Sequence, residues 1–213
     1  MLQTIDLKYS YDNRHPLRFP DLALEKGEHW LMLGQSGSGK TTLLHLIGGL
    51  LSPESGQIRI GDTALEKLTG RALDRFRGRH IGIVFQKTHF IRSLNVEENL
   101  LLAQKLAGAK PDRSRIAEVL ERLGLGHKLR SKPDRLSMGE QQRAAIARVL
   151  VNQPILILAD EPTSALDDHN ALEVANLLEE LANNAGATLL IVTHDTRLKS
   201  RFPKQIELQP SRL

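Results

Sequence analysis

Gly34-Gln35-Ser36-Gly37-Ser38-Gly39-Lys40-Thr41, preceded by the apolar run His29-Trp30-Leu31-Met32-Leu33, is the stretch from which the fold can be read. A short apolar strand leads into a glycine turn. A helix over Lys40–Leu50 then carries Leu43, Leu44, Ile47 and Leu50 on one face, the strand–loop–helix context of a phosphate-binding loop. The glycines let backbone N–H groups turn inward around phosphate oxygens without a side chain in the way, with Gln35, Ser36 and Ser38 completing the cradle. Lys40 brings a point charge to the outer phosphates and Thr41 a hydroxyl for Mg²⁺, with Thr42 beside it. The partial positive charge of the helix N-terminus points at the same anion. This stretch alone implies only that a nucleoside triphosphate binds.

A second apolar run, Ile155-Leu156-Ile157-Leu158-Ala159, ends in Asp160-Glu161. A buried strand places such acids at the edge of a sheet, where a nucleotide sits. Asp160 suits the Mg²⁺ shell, and Glu161 suits a general base polarising an attacking water. Ile81–Phe85 and Thr188–Val192 are further continuous apolar runs, as expected where helices cover both faces of a parallel sheet. Leu172–Leu181 has helical spacing. The fold class is therefore α/β. Thr4–Tyr9, Leu17–Leu24, Gln57–Ile60 and Gln205–Leu208 alternate or break at turns, which predicts a smaller antiparallel sheet. Between Gln86 and Arg135 buried strands give way to helices, best over Val96–Ala107 and Ser114–Leu123, with breaks at Pro111 and Gly124-Leu125-Gly126. That stretch reads as a helical lobe inserted into the α/β core, at about residues 87–135.

With 213 residues, 40% of them hydrophobic and 25% charged, the chain is long enough to bury a sizeable core. There is no cysteine, hence neither disulfide nor thiolate metal site, which fits a reducing compartment. The 8 histidines show no paired ligand spacing, so no structural metal is expected. Lys67, Arg71, Arg75, Arg77 and Arg79 cluster, but Asp74 interrupts them and no aromatic platform accompanies them. They read as surface, and at a formal charge of +4 no nucleic-acid partner is expected. Met1–Asp6 carries neither a basic start nor an apolar core, so no secretory signal is expected. No apolar run approaches the roughly 18–20 residues of a membrane span.

Leu136-Ser137-Met138-Gly139-Glu140-Gln141-Gln142-Arg143, followed by a helical run, resembles the signature of ATP-binding-cassette (ABC) ATPases. Gln86 resembles the family's Q-loop, Ser164-Ala165-Leu166-Asp167 its D-loop and Thr193-His194-Asp195 its histidine switch, all in the family's order. The resemblance covers about Leu2 to Leu208. It implies a P-loop NTPase core with a mainly parallel sheet, a small antiparallel β subdomain and an inserted α-helical subdomain, all in one ATP-binding domain over residues 1–213.

It also implies a head-to-tail dimer of two copies. Each ATP would lie between the phosphate loop of one copy and Ser137, Gly139 and Glu140 of the other, with Asp167 acting across the interface. His194 would hydrogen-bond the γ-phosphate. Gln86 would link the γ-phosphate to Mg²⁺, which Thr41 and Asp160 also hold, and Tyr11 would stack on adenine. Two departures stand out. Met138 replaces the usual first glycine of the signature, so this position must take negative φ. Glu140 replaces the usual glutamine and adds a carboxylate that could weaken or retune the sandwich.

A single cassette with nothing substantial after the histidine switch resembles a stand-alone transporter subunit. Arg79–Asn99 is most similar to the lipoprotein-releasing and macrolide-exporter group. Transmembrane permease subunits as partners, a cytoplasmic position at the inner face of the membrane, and transport-coupled ATP hydrolysis are what that similarity implies. The helical lobe would receive a short cytoplasmic helix from each permease. A regulatory cell-division type of ABC ATPase stays open as an alternative, and so, further off, does a non-transport ABC ATPase acting on nucleic acid or ribosomes.

Overall fold

The computed structural model describes residues 1–12, 16–164 and 167–209. In chain order the strands are β1 (Leu2–Tyr9), β2 (Leu17–Arg18), β3 (Leu22–Leu24), β4 (His29–Leu33), β5 (Ser55–Ile60), β6 (Thr63–Ala64), β7 (Ile81–Val84), β8 (Leu156–Asp160), β9 (Thr188–Thr193) and β10 (Lys204–Glu207). The helices are α1 (Lys40–Ile47), α2 (Gly70–His80), α3 (Val96–Leu106), α4 (Arg113–Arg122), α5 (Met138–Leu150) and α6 (Asp168–Ala185).

Among the described residues the strands form two five-stranded sheets. One is parallel, in the order β10-β4-β9-β8-β7. Its central strands β8 and β9 are buried along their whole length, which is why they read as unbroken apolar runs. Alternate residues face two cores. Leu31, Ile157, Leu189 and Ile191 join a cluster with α3, α4, α5 and α6, whereas Met32, Leu158, Leu190 and Val192 join one with α1 and the second sheet. That second sheet is antiparallel, with β1 paired to β2, β3 and β5, and β6 on β5.

Two expectations are corrected here. The segment Gln205–Leu208, assigned above to the antiparallel sheet, instead forms the edge of the parallel sheet, with Gln205 opposite Leu31 and Ile206 opposite Met32. A short edge strand alternates exposed and covered positions in either sheet, so its pattern does not choose the partner. The helix after the phosphate loop ends at Ile47 rather than Leu50. Gly48-Gly49 stops it, Gly49 in the left-handed conformation at φ 63°.

Helix α2 has no fully buried residue, and this hid it from a reading based on apolar periodicity. Two of its arginines, grouped above as surface, bind it to its neighbours. Arg77 donates to Gly49 O (3.1 Å) just beyond α1, and Arg79 donates to Ala107 O (3.0 Å) and Gly108 O (3.1 Å) just beyond α3. Both cations satisfy carbonyls at helix C-termini, where the backbone leaves acceptors without partners. The helices α3 and α4 follow β7 in the chain, and both pack against α5.

Candidate functional site

The phosphate loop leaves β4 at the carboxyl end of the parallel sheet and enters α1 through Gly39. That residue sits at φ 90° and gives the helix no side-chain cap, so the first N–H groups of α1 are left for an incoming acceptor. Gly37, at φ 81°, turns the loop in the same conformation, which an L side chain rarely adopts. Lys40 is 7% exposed, and its Nζ donates to Gly34 O (2.7 Å) and Gln35 O (3.0 Å). Ser38 Oγ is buried with no hydrogen-bond partner.

An open cleft of about 1160 Å³ lies over this loop. Ser36, Gly37, Gly39, Lys40, Thr41 and Thr42 form its floor, Tyr11 and Leu17 one wall, and Gln86, Glu161 and His194 the other. Tyr11 is 68% exposed, held edge-on to Tyr9 (centroids 4.9 Å apart) and by its hydroxyl to Thr42 Oγ1 at 3.0 Å. A ring so fixed and so exposed presents a free face to the cleft.

The acids at the end of β8 take separate tasks from their surroundings. Asp160 Oδ1 accepts from Thr41 Oγ1 at 3.1 Å. Burial raises the Asp160 carboxyl above its ordinary value, against the lowering influence of the Thr41 hydroxyl. A buried, half-satisfied carboxylate beside a hydroxyl is the donor set of a hard divalent cation.

Glu161 stands at φ 47°, a strained conformation for a non-glycine residue, and its N–H donates to Val192 O at 2.8 Å. Its carboxylate accepts from Thr193 Oγ1 (2.7 Å) and from the His194 backbone N–H (3.1 Å), and His194 Nδ1 lies 2.9 Å from Oε1. Lys40 Nζ is 3.9 Å from the same Oε1. Behind this set, Asp195 accepts from Thr163 Oγ1 at 2.8 Å and from two nitrogens of Arg197. The Arg197 guanidinium holds the Asp195 carboxyl down at about 2.

Gln86 Nε2 donates to Ser164 Oγ (3.0 Å), whose hydroxyl donates on to Glu161 O (3.1 Å). Of the D-loop motif, Ala165 and Leu166 lie outside the described residues. Asp167 is exposed, and its carbonyl accepts from Ala171 N at 2.9 Å at the start of α6.

The signature residues Ser137, Gly139 and Glu140 do not line the loop cleft. They open α5, where Ser137 is the N-cap. Glu140 N–H donates to Ser137 Oγ (3.3 Å) and Ser137 N–H donates to Glu140 Oε2 (2.7 Å), a reciprocal capping box. The Ser137 N–H holds the Glu140 carboxyl below its ordinary value, and Lys128 Nζ pairs with it at 3.2 Å. The extra carboxylate of this signature is therefore turned inward and neutralised.

Met138 has negative φ as expected, and it is 66% exposed, at the edge of a pocket that Gln86, Glu161 and Ser164 also line. A Cβ on Gly139 would meet only Arg143 Nη1, at 3.6 Å. Packing within one copy thus gives no reason for a glycine that costs helix stability there. Sequence reasoning passed over the Glu140 cap although Ser-x-x-Glu before an apolar run is its signal. It also passed over Ser164 and Thr193 as partners of Gln86 and Glu161, for which no local pattern exists.

The residues fit Mg²⁺ and a nucleotide on three counts: an uncapped α1, the orphaned Ser38 hydroxyl, and the Thr41–Asp160 oxygen pair. Residues 17–164 match the profile of the ABC transporter family. The chain is 43% identical over 194 residues to the lipoprotein-releasing system ATP-binding protein LolD of Alcanivorax borkumensis, covering 90% of this chain and 85% of the relative. The dimeric bacterial ABC transporter cassette MJ0796 superposes with a TM-score of 0.88 at 33% identity, over 99% of this chain and 95% of that one. A post-hydrolysis dimer of the same cassette, bound to ADP and Pi, superposes with a TM-score of 0.85 at 33% identity, over 100% and 97%. By this profile match and these likenesses, the protein belongs to the ABC transporter family of ATP-binding cassettes, in the lipoprotein-releasing group.

Proposed function

We propose that two copies of this chain close head to tail on two ATP molecules and hydrolyse them to drive a membrane permease of the lipoprotein-releasing type. The observation that carries this reading is the split of the site. The phosphate loop, Glu161, His194 and Gln86 share one cleft, while Ser137 and Gly139, at the start of α5, are not among the residues that line it. A second copy completes what one copy leaves apart. The resemblance to dimeric cassettes supports the same arrangement.

In this reading the α1 N-terminus and Lys40 bind the phosphates, Tyr11 stacks on the adenine, and Asp167 meets the opposite copy. Thr41, Asp160 and Gln86 would hold Mg²⁺, which neutralises charge on the outer phosphates when bound. Glu161 accepts a proton from water as the water oxygen bonds to the γ-phosphorus. The bond to the β–γ bridging oxygen breaks, and ADP and phosphate leave. His194 moves from Glu161 to the γ-phosphate and fixes the line of attack. Its ring is 62% exposed, so that packing does not oppose the move once the contact with Glu161 is released.

The permease reading rests on a groove of about 1320 Å³ between α2, α3, β7 and α5, with Leu50, Phe85 and Leu106 among its lining. Leu106 is 70% exposed, so an apolar partner helix has something to cover. A cytoplasmic place beneath the membrane follows from that partner. The test is Glu161→Gln. Turnover should fall at least about 100-fold with ATP affinity retained, the loss typical of a missing general base. An unchanged rate would remove Glu161 from the chemistry.

A further inference from the structure

Arg71, Arg75 and Arg79 recur every fourth residue and so form one stripe along α2. The stripe lies against the end of α3. Arg79 donates to the carbonyls of Ala107 and Gly108, and Arg75 Nε is within 3.4 Å of a Cβ built on Gly108. Around that junction Lys105 and Lys110 are exposed, and so is Leu106 at 70%. Arg79 is occupied with the α3 carbonyls. For Arg71, Arg75, Lys105 and Lys110 no carboxylate partner is found among the described residues. The one acid on α2, Asp74, already faces Arg77 at 3.4 Å.

The patch borders the groove assigned above to the permease, since Leu106, Asp74 and Arg77 line that groove. Four cations without carboxylate partners, spread over two helix surfaces around one protruding leucine, make a shallow face rather than a pocket for a single anion. Among the described residues, neither α3 nor the stretch from Lys105 to Lys110 carries an aromatic ring to give a base a stacking platform. Phe76, the one aromatic on α2 besides His80, is turned inward against the antiparallel core.

We propose that this rim of α2 and α3 is a contact for a membrane surface of anionic phospholipid headgroups. The proposal rests on the permease reading only for its setting, because docking through the adjoining groove would bring the rim to the bilayer. Each cation near an anionic surface adds about five-fold to partitioning, and the attraction decays within a Debye length. The rim alone therefore gives reversible, salt-sensitive attachment.

The test is sedimentation of the purified full chain with vesicles of phosphatidylcholine, with and without phosphatidylglycerol. The chain should bind only the anionic vesicles, less as salt rises. The double variant Arg71→Gln/Arg75→Gln should lose about ten-fold or more in binding, with its ATPase rate unchanged. Lys26→Gln/Arg59→Gln removes the same charge from exposed positions elsewhere and should bind almost as the parent does. Equal binding to neutral vesicles, no binding at all, or equal losses in the two double variants would each overturn the proposal. Tighter binding to a duplex oligonucleotide than to anionic vesicles at equal phosphate would overturn it in favour of nucleic acid. Failure here would leave the Glu161→Gln result untouched, so the two readings stand or fall separately.

Discussion

Asp160 shows how one residue can trade stability for chemistry. Its carboxyl is 7% exposed, and one hydroxyl is the neutral donor it meets. Burying it ionised is unfavourable until a cation arrives. Asp160→Asn should therefore melt at a higher temperature than the parent without nucleotide, and should lose Mg²⁺-dependent turnover. Calorimetry with and without Mg²⁺ and ATP checks both halves. A variant that melts lower in both conditions would contradict it.

Asp195 has the opposite balance, its carboxyl lowered from 3.8 to about 2 by Arg197. A folded value below the unfolded one means the stabilisation is complete above about pH 4 and is lost as pH falls through about 2. With Arg197 partly solvent-exposed, Asp195→Asn should cost on the order of 1–2 kcal/mol at neutral pH, and progressively less on acidification. Urea titrations across that range measure the difference. At Glu140, replacement by Gln keeps an oxygen for the Ser137 N–H, whereas Ala removes the cap. Thermal melts should show Glu140→Ala below Glu140→Gln.

Between elements, β7 and α5 meet closely at a glycine. A Cβ on Gly82 would lie 2.1 Å from Val149 Cγ1 and 3.1 Å from Pro154 Cγ. Gly82→Ala should thus cost about 1–3 kcal/mol by overpacking, read as a drop in the denaturation midpoint. Arg79→Met should cost about 1 kcal/mol, because the carbonyls of Ala107 and Gly108 lose their charged donor.

These elements differ in how far the amino-acid pattern reveals them. The strands β4, β8 and β9 could be read because burial on both faces forces unbroken apolar runs. Helix α2 could not, since its anchoring is polar and directed at carbonyls, which leave no periodicity. The partner of β10 could not either, because β4, with which it pairs, lies near the other end of the chain and leaves no mark on the local pattern.

Over the whole molecule, the candidate site was legible where chemistry restricts residue types. Phosphate binding needs glycines and a lysine, cation binding needs acids at a strand end, and both survive as short motifs. The links that set the resting geometry were not legible. Thr193 to Glu161 and Gln86 to Ser164 join residues far apart in sequence, and any small hydroxyl could stand there.

In the proposed dimer each ATP is shared between two copies. Sedimentation velocity of the Glu161→Gln variant with ATP and Mg²⁺ tests it most directly. The expected result is a dimer that reverts to monomer when ATP is replaced by ADP and that fails to form once Ser137→Arg blocks the signature. A chain that stays monomeric in saturating ATP, or whose dimer ignores the Ser137 substitution, would contradict it.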